Sequence, residues 1–306
     1  MFSKNKLLQK TIFKCTLYFY LPFLCKKIKD TRINHESAVI NAIACSLNIS
    51  SENASAIYIK GIKSFVRFRL KFSQLARLPL SIIESEIDNV TVINSKILKD
   101  VQAMKRPIIL VSIHTGDFYT GFLKLAKLSR TNQIINIVKV ASGSTSETGV
   151  YNKIQTFCPN LNVLRFDQEI AKTCFLQLRK NNIVAIMNDI EVRVNKRVTV
   201  DFMGKKSHLQ CGIAQLAVPT KAIILPMVNY KDSKGNNILK IESPIDATLA
   251  ANEKVSSAIE RVTQDLATYM EEWLINHPEQ FQYWSDIAGT LYAKKDKKVN
   301  LDVKYK

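Results

Sequence analysis

The sequence predicts an α/β fold with a mainly parallel central sheet, helices on both faces of the sheet, and an N-terminal helical segment. Two observations support this prediction. Short apolar runs, typical of buried strands, alternate with longer amphipathic runs over much of the chain. The 306 residues also suffice for one large domain with a substantial core.

The first elements along the chain are expected to be mostly helical. Residues 34–100 carry apolar side chains at three- and four-residue spacing, which is the helical period. Within this part, residues 90–94 alternate between apolar and polar side chains like a short strand. Residues 95–105 form a predicted helix that Pro107 ends, because proline cannot continue the hydrogen-bonded backbone of a helix.

From Pro107 onward, strands and helices alternate. Strands are predicted at 107–113, 133–141, 161–166 and 182–189, and helices at 117–129, 146–158 and 168–181. Residues 197–204 indicate an edge strand or hairpin, 209–220 a helix, 221–230 and 237–245 two strands, and 252–278 a long closing helix that Pro278 ends. Since strands alternate with helices, the sheet is expected to be mainly parallel and covered on both faces.

The charge of the chain indicates an anionic partner. The formal net charge is +18, which suits nucleic acid, an anionic membrane surface or an acidic soluble substrate. Residues 1–34 hold eight lysines and arginines against the single acid Asp30, and the tail from Lys294 is also basic. We therefore divide the chain into a basic apolar segment 1–34, an α/β domain 35–290 and a basic tail 291–306.

The basic segment contains the apolar and aromatic run 12–25, which Lys14 and Pro22 interrupt. This run is too short to span a bilayer, which takes roughly 20 apolar residues. Lysines beside phenylalanine, tyrosine and leucine suit a segment lying on an anionic lipid surface. The alternative is a first helix packed on the domain with a solvated basic face.

Several classes of function are disfavoured. The basic residues cluster at a hydrophobic N-terminus and no nucleic-acid-binding motif is present, so nucleic acid is not an expected partner. The six cysteines show no CxxC spacing and are expected to be reduced, and the four histidines form no metal pattern. Neither a P-loop nor a GxGxxG motif is found. We expect no metal and no cofactor.

The candidate site begins at "HTGDFY", residues 114–119, where a predicted strand ends and a helix begins. Ligands of α/β proteins gather at the carboxyl ends of strands. The positive end of a helix disfavours protonation of a neighbouring imidazole, so His114 is expected to be neutral and able to accept a proton. The N–H groups of Gly116 and Asp117 are candidates for binding an oxyanion. This combination suits acyl transfer.

A catalytic histidine needs an acceptor on its second ring nitrogen. If His114 is already helical, Asp117 faces it, because residues three apart share one side of a helix. If His114 lies in the turn before the helix, a residue five places on, here Tyr119, can reach it. The simpler interpretation is a hydrogen-bonded core histidine, with Asp117 as an ordinary acid in the first helical turn.

These stretches resemble the lauroyl/myristoyl acyltransferases of lipid A biosynthesis, within the lysophospholipid-acyltransferase-like superfamily. The family motif H-x-G-N-W-E is matched by His114 and Gly116, and Asp189 falls on the end of a family strand. The segment 278–284 resembles the closing "P-E-Q-W-x-W" block at Pro278, Glu279, Gln280 and Trp284. A further block is matched at Phe202, Gly204, Gly212, Leu216, Ala217, Ala222 and Pro226.

The resemblance covers about residues 35–290 in consistent order. It implies an acyltransferase on the cytoplasmic face of a bacterial inner membrane. Such an enzyme takes acyl groups from acyl carrier protein or coenzyme A and passes them to a lipid A precursor or another glycolipid. A divergent member could acylate a specialised metabolite, and an inactive member would only bind lipid surfaces.

One departure concerns Tyr119, which stands at the family's carboxylate position. Because the ordinary pKa of tyrosine is near 10, its hydroxyl cannot replace an ionised carboxylate at neutral pH. Asp117 is our first expectation for the residue that orients His114. The alternatives are a carboxylate from elsewhere, such as Asp189 or Glu191, or a loss of activity.

Basic residues at strand ends are candidate ligands for phosphates of the donor or acceptor. The candidate substrate-binding residues are Gly116, Lys139, Arg165, Asp189, Arg193 and Gly204. A solvated surface charge is the alternative for each basic residue, and the one we favour for Arg197. Lys205 and Lys206 remain ambiguous, whereas His208 and His277 are expected to be structural.

Overall fold

A mixed sheet forms the centre of the molecule in the computed structural model, which describes residues 36–287 apart from 76–77, 130–132, 141–150, 157 and 190–195. The strands are β1 (Thr91–Ile93), β2 (Ile108–Ser112), β3 (Ile135–Val140), β4 (Leu161–Phe166), β5 (Ile183–Met187), β6 (Arg197–Phe202), β7 (Lys205–Gln210), β8 (Ile223–Lys231), β9 (Asn237–Ile241) and β10 (Ile245–Asp246). The segments 1–34 and 291–306 lie outside the described residues.

The sheet order is β1-β9-β8-β2-β5-β3-β4, with β10 paired to β8. The five strands β8, β2, β5, β3 and β4 are parallel, whereas β9 is antiparallel to β8 and β1 runs parallel to β9. The predicted α/β class with a mainly parallel sheet is thus confirmed.

Helices cover both faces of the sheet. They are α1 (36–47), α2 (Ser51–Leu75), α3 (Leu80–Asp88), α4 (Ser95–Ala103), α5 (Phe118–Leu128), α6 (151–155), α7 (Ile170–Arg179), α8 (Gly212–Thr220), α9 (Val255–Asn276) and α10 (284–287). A short 3₁₀ turn, Pro278–Gln280, follows α9. No helix within the described part of the chain is long and apolar enough to cross a membrane.

Two hydrophobic clusters lie on opposite faces of the sheet, because successive side chains of a strand point to opposite sides. Ile109 and Val111 of β2 pack with α7, α8 and α9, whereas Ile108 and Leu110 pack with α3, α4 and α5. All five residues of β2 are buried, which explains its continuous apolar run. Helix α2 contributes side chains to both clusters.

The predicted edge strand or hairpin at 197–204 is a two-stranded hairpin of β6 and β7, separate from the main sheet. The turn consists of Met203 and Gly204, both in the left-handed region at φ 53° and 71°. Because β7 continues to Gln210, the following helix begins at Gly212 and not at residue 209 as expected.

Candidate active site

The turn that carries His114 leaves the carboxyl end of β2 and enters α5 at Phe118. Gly116 has a φ of 49°, in the left-handed region. A Cβ atom there would lie 2.8 Å from the backbone oxygen of Asn229, so a side chain would clash with β8. The local sequence therefore needs glycine for two reasons, a left-handed backbone and a close approach to a neighbouring strand.

Strand register brings His114 and Asp189 together. Strands β2 and β5 are parallel neighbours in which Ser112 is the partner of Met187, and the two residues follow two places beyond these partners. The Asp189 carboxylate accepts the backbone N–H of His114 at 2.8 Å through Oδ2 and lies 2.8 Å from Nδ1 of the ring through Oδ1. Both residues are buried.

This contact determines which nitrogen of a neutral His114 ring carries the hydrogen. When Nδ1–H donates to Asp189, Nε2 carries the free lone pair and can accept a proton. The rings of Phe118 and Tyr283 pack against the imidazole with centroids 4.7 and 4.5 Å away. The side chain of His114 keeps 8% of its surface exposed. The ring is held on three sides, and only a small part of it is open.

Asp117 does not make the expected contact with His114. Its Oδ2 lies 2.9 Å from Nζ of Lys71, 3.4 Å from Nζ of Lys231 and 3.2 Å from Nδ2 of Asn237. The reason is the backbone: α5 begins at Phe118, so residues 114 and 117 are not on a common helix. The carboxylate on the ring comes instead from Asp189, one of the alternatives that the sequence left open.

Asp117 is a buried anion held by cations. Burial by itself would raise the pKa of its carboxyl, but the charges of Lys71 and Lys231 outweigh that effect and lower the pKa to about 2. Burial likewise opposes the charge of Lys71, yet the carboxylates of Asp117 and Glu86 leave its pKa raised. Asp117 and Lys71 are therefore an ion pair at neutral pH, linking α2 to the start of α5.

Tyr119 points into the core. Its ring packs edge-on against Phe72 at 4.8 Å, with Tyr151 at 6.0 Å. Its hydroxyl is buried without a hydrogen-bond partner in the described part of the chain. Burial raises the pKa of this hydroxyl well above its usual value, so Tyr119 stays protonated and neutral.

The segment after α9 is hydrogen-bonded to the turn that carries His114. The backbone N–H of Gln282 donates to the carbonyl of His114 at 3.0 Å, and its side-chain Nε2 donates to the carbonyl of Gly116 at 2.8 Å. Thr115 and Phe281 form an isolated β-bridge beside these bonds. The turn is thus bound to β5 by Asp189 and to the C-terminal segment by Gln282.

The Asp117 N–H finds no acceptor among the described residues, whereas the antiparallel bridge between Thr115 and Phe281 directs the Gly116 N–H at the carbonyl of Gln280. Free N–H groups at the start of a helix carry partial positive charge and bind anions. The Asp117 N–H belongs to the turn that holds His114. The arrangement can therefore pair a proton acceptor with a donor for a developing negative charge.

Lys139 and Arg165 lie at the carboxyl ends of β3 and β4, where they are register partners. Nζ of Lys139 sits 4.8 Å from the centroid of the Tyr151 ring, and Arg165 is exposed. They share the sheet edge of His114 and Asp189, as expected, but the strand order places β3 and β4 beyond β5. Arg193 and Glu191 lie outside the described residues.

The remaining candidates have structural surroundings. Gly204 is exposed in the hairpin turn, and its φ of 71° accounts for glycine there without a ligand. Lys206 pairs with Asp201 at 2.8 Å. His277 stacks on Trp273 and Tyr230, and His208 lies 3.2 Å from the Thr199 hydroxyl. Lys205 and Arg197 are exposed side chains of the hairpin.

Sequence reasoning missed the roles of Lys71, Gln282 and Tyr283 around the turn. Lys71 is buried in the predicted helical region, between the apolar Leu70 and Phe72, and a charge between two apolar residues was the available signal. Gln282 and Tyr283 belong to the block that resembles the family's closing segment, but their contact with His114 depends on tertiary packing.

Comparison with known proteins shows the family of the chain. The family model described as bacterial lipid A biosynthesis acyltransferase matches residues 31–285. The phosphatidylinositol mannoside acyltransferases of Mycobacterium tuberculosis strains CDC 1551 / Oshkosh and ATCC 25618 / H37Rv are each 27% identical over 119 residues, covering 39% of this chain. The chain matches only 36% of the length of these curated relatives. Since the family model covers most of the sequence, the chain belongs to the bacterial lipid A biosynthesis acyltransferase family.

Proposed function

We propose that this protein transfers a fatty acyl group from a thioester, on acyl carrier protein or coenzyme A, to a hydroxyl or amine of a glycolipid acceptor. The observation that carries the proposal is the contact between Nδ1 of His114 and Oδ1 of Asp189 at 2.8 Å, beside the Asp117 N–H, which lacks an acceptor among the described residues. The similar mycobacterial proteins are named for acylating a phosphatidylinositol mannoside, which supports a glycolipid acceptor.

In this mechanism Nε2 of His114 removes the proton from the acceptor hydroxyl or amine. The acceptor atom then attacks the thioester carbonyl carbon, and negative charge develops on the carbonyl oxygen. The N–H group of Asp117 stabilises that charge. When the carbon–sulfur bond breaks, the imidazolium returns its proton to the leaving thiolate. The products are the acylated acceptor and a free thiol.

Asp189 holds the imidazole in this mechanism. A carboxylate on Nδ1 fixes the tautomer that leaves Nε2 free and stabilises the imidazolium that forms. Asp117, our first expectation for this role, instead has its carboxylate committed to Lys71, Lys231 and Asn237. We assign Asp117 to the structure of the turn, with its N–H as an oxyanion donor.

Two further partners are part of the same proposal: a phosphate of the substrates and the membrane surface. Lys139 and Arg165 are proposed to bind a phosphate of the donor arm or of the acceptor headgroup, since both are basic and lie at the carboxyl edge. Segment 1–34 is proposed to hold the protein on the cytoplasmic face of the inner membrane. In a flotation assay, the full chain should rise with anionic vesicles and release them at high salt.

A second candidate function is an inactive lipid-surface protein, which Tyr119 favours because it leaves no carboxylate at the family position. The experiment that separates the two uses purified protein, labelled acyl thioesters of acyl carrier protein and of coenzyme A, and a bacterial lipid extract. The proposal predicts thiol release together with labelled lipid, both abolished by His114→Ala. Lipid binding without turnover of either thioester would favour the inactive protein.

A further inference from the structure

Gln282 binds both sides of the turn that holds His114. Its backbone N–H and its side-chain Nε2 donate to the carbonyls of His114 and Gly116 at 3.0 and 2.8 Å, and only 6% of the residue is exposed. One buried residue from the C-terminal segment therefore fixes two peptide groups of the turn. These peptide groups precede Thr115 and Asp117.

The bond to Gly116 also determines where the Asp117 N–H points. A trans peptide group is planar, so its C=O and N–H point in opposite directions. With the Gly116 carbonyl directed at Gln282, the Asp117 N–H is directed away from Gln282. The turn cannot relax freely towards β8, because Gly116 already approaches the backbone of Asn229 closely.

The chemistry of the side chain indicates that this bond, and not packing alone, explains glutamine at this position. Oε1 of Gln282 is buried without a partner among the described residues. An unsatisfied buried oxygen costs about 1–3 kcal/mol, so an apolar side chain of equal length would pack at lower cost. If the amide oxygen and nitrogen of Gln282 were exchanged, Oε1 would face the Gly116 carbonyl oxygen, and the two acceptors would repel each other.

We infer that Gln282 is a positioning residue for the acyl transfer: its side-chain amide aims the Asp117 N–H at the developing oxyanion, and its backbone N–H keeps His114 beside it. This inference rests on the proposed function. Gln282 touches neither substrate nor reacting atoms, and acts through the turn.

The test compares Gln282→Met, which removes the donor at nearly equal length, with Gln280→Met as a matched control. Gln280 also binds backbone, but its amide bonds at 2.8 Å to both the N–H and the carbonyl of Lys231. Gln280→Met removes the side-chain bonds of the same segment to Lys231, whereas Gln282→Met removes the side-chain bond to the Gly116 carbonyl of the turn. Circular dichroism and urea unfolding confirm that each variant is folded under assay conditions.

The expected result is a lower kcat for Gln282→Met at nearly unchanged KM, because oxyanion donors act mainly in the transition state. Loss of one donor costs about 10²–10³-fold, and a misdirected donor should cost about 10- to 100-fold. Gln280→Met should stay within about threefold of the wild-type kcat. Equal losses of kcat in both variants, or a change in KM alone, would overturn the inference.

A third variant, Gln282→Glu, gives a pH signature that a packing role would not produce. An ionised carboxylate repels the Gly116 carbonyl, whereas a protonated carboxyl can donate to it. The kcat of Gln282→Glu relative to wild type should therefore rise as the pH falls from 8 to about 5, towards the ordinary glutamate pKa of about 4.3. A ratio that is constant over this range speaks against the inference.

A measurement without turnover separates this inference from the proposed function. In ¹⁵N-labelled protein, Gln282→Met should shift the amide resonance of Asp117, and Gln280→Met should leave it in place. If the wild type turns over no thioester, the proposed function fails, while this shift still decides whether Gln282 orients the turn. An unshifted Asp117 amide in Gln282→Met would contradict its positioning role.

Discussion

At the scale of single residues, the carboxylate that contacts His114 comes from the end of the neighbouring strand. Tyr119 is buried among aromatic rings, while Asp189 supplies a carboxylate to His114. Asp117 is charged, but its charge is neutralised by Lys71 and Lys231. Of these three side chains, Tyr119 and Asp117 therefore serve packing or structure, and Asp189 is the one that contacts the imidazole.

Tyr119→Phe should leave acyl transfer within about twofold of wild type, because the hydroxyl that it removes has no partner in the described structure. The free energy of unfolding should stay equal or rise by up to about 1 kcal/mol, since a buried unsatisfied group is removed. Urea unfolding and the transfer assay measure both quantities. The matched control is Tyr269→Phe, whose hydroxyl donates to the Met227 carbonyl at 2.6 Å and whose removal should destabilise by about 1–3 kcal/mol. A tenfold slower folded Tyr119→Phe would show that this hydroxyl takes part in the reaction.

At the scale of secondary-structure elements, the site lies where several elements meet. The carboxylate of Asp117 connects the start of α5 with α2 through Lys71, with the end of β8 through Lys231 and with the start of β9 through Asn237. Lys71 extends this connection to α3 through Glu86 at 3.0 Å. These contacts hold the start of α5, and hence the turn before it, against both the sheet and the helical layer.

Lys71→Met should destabilise the fold by about 3–5 kcal/mol, because it leaves the buried Asp117 charge with a weaker partner. The double variant Lys71→Met/Asp117→Asn should cost clearly less than the sum of the single variants. Urea unfolding of the full double-mutant cycle measures the coupling. As a control, the exposed pair Lys96–Asp100, though only 2.6 Å apart, should couple by no more than about 0.5 kcal/mol. Additive single effects at Lys71 and Asp117 would refute a buried ion pair.

The sequence predicted most of these elements and part of the site. The apolar runs locate the strands, and His114 and Asp189 are visible as polar residues at strand ends. Their contact was not predictable, because β2 and β5 are separated along the chain by β3 and β4, and strand order depends on tertiary packing. The expected role of Asp117 depended on where α5 begins, and a shift of a few residues at a helix start changes which side chains face each other.

At the scale of the whole molecule, the excess of basic residues is the main feature. The formal net charge is +18, and the two acids that are buried among the described residues, Asp117 and Asp189, both lie at the site. The basic segments 1–34 and 291–306 lie outside the described residues, so the membrane contact of segment 1–34 remains a prediction. Charge of this kind favours encounter with acidic carriers and anionic lipids alike.

The stability of the fold should fall in acid, partly because of Asp117. Its pKa is lowered from 3.8 to about 2 in the folded protein, so the unfolded chain binds the proton more tightly. The stabilisation, about 2 kcal/mol, is fully present above about pH 5 and is lost as the pH falls from about 4 towards 2. Asp246, whose pKa the Arg106 hydrogen bond lowers, acts in the same direction.

Urea unfolding at a series of pH values measures this effect as the difference between wild type and Asp117→Asn. We expect the advantage of the wild type to be largest near neutral pH and to shrink below about pH 4. The exposed Asp100→Asn serves as the control, with a small difference at every pH. An advantage of the wild type over Asp117→Asn that does not change between pH 7 and pH 2 would argue against an ionised Asp117.

The central claim is that His114, held by Asp189, is the base of an acyl transfer. Its most direct test measures transfer of a labelled acyl chain from thioester to lipid by wild type, Asp189→Asn and Asp117→Asn, at a temperature where all three are folded. We predict that Asp189→Asn slows transfer on the order of 10³-fold, because an amide stabilises neither the required tautomer nor the imidazolium, and that Asp117→Asn slows it far less. Transfer by Asp189→Asn within tenfold of wild type would contradict the account.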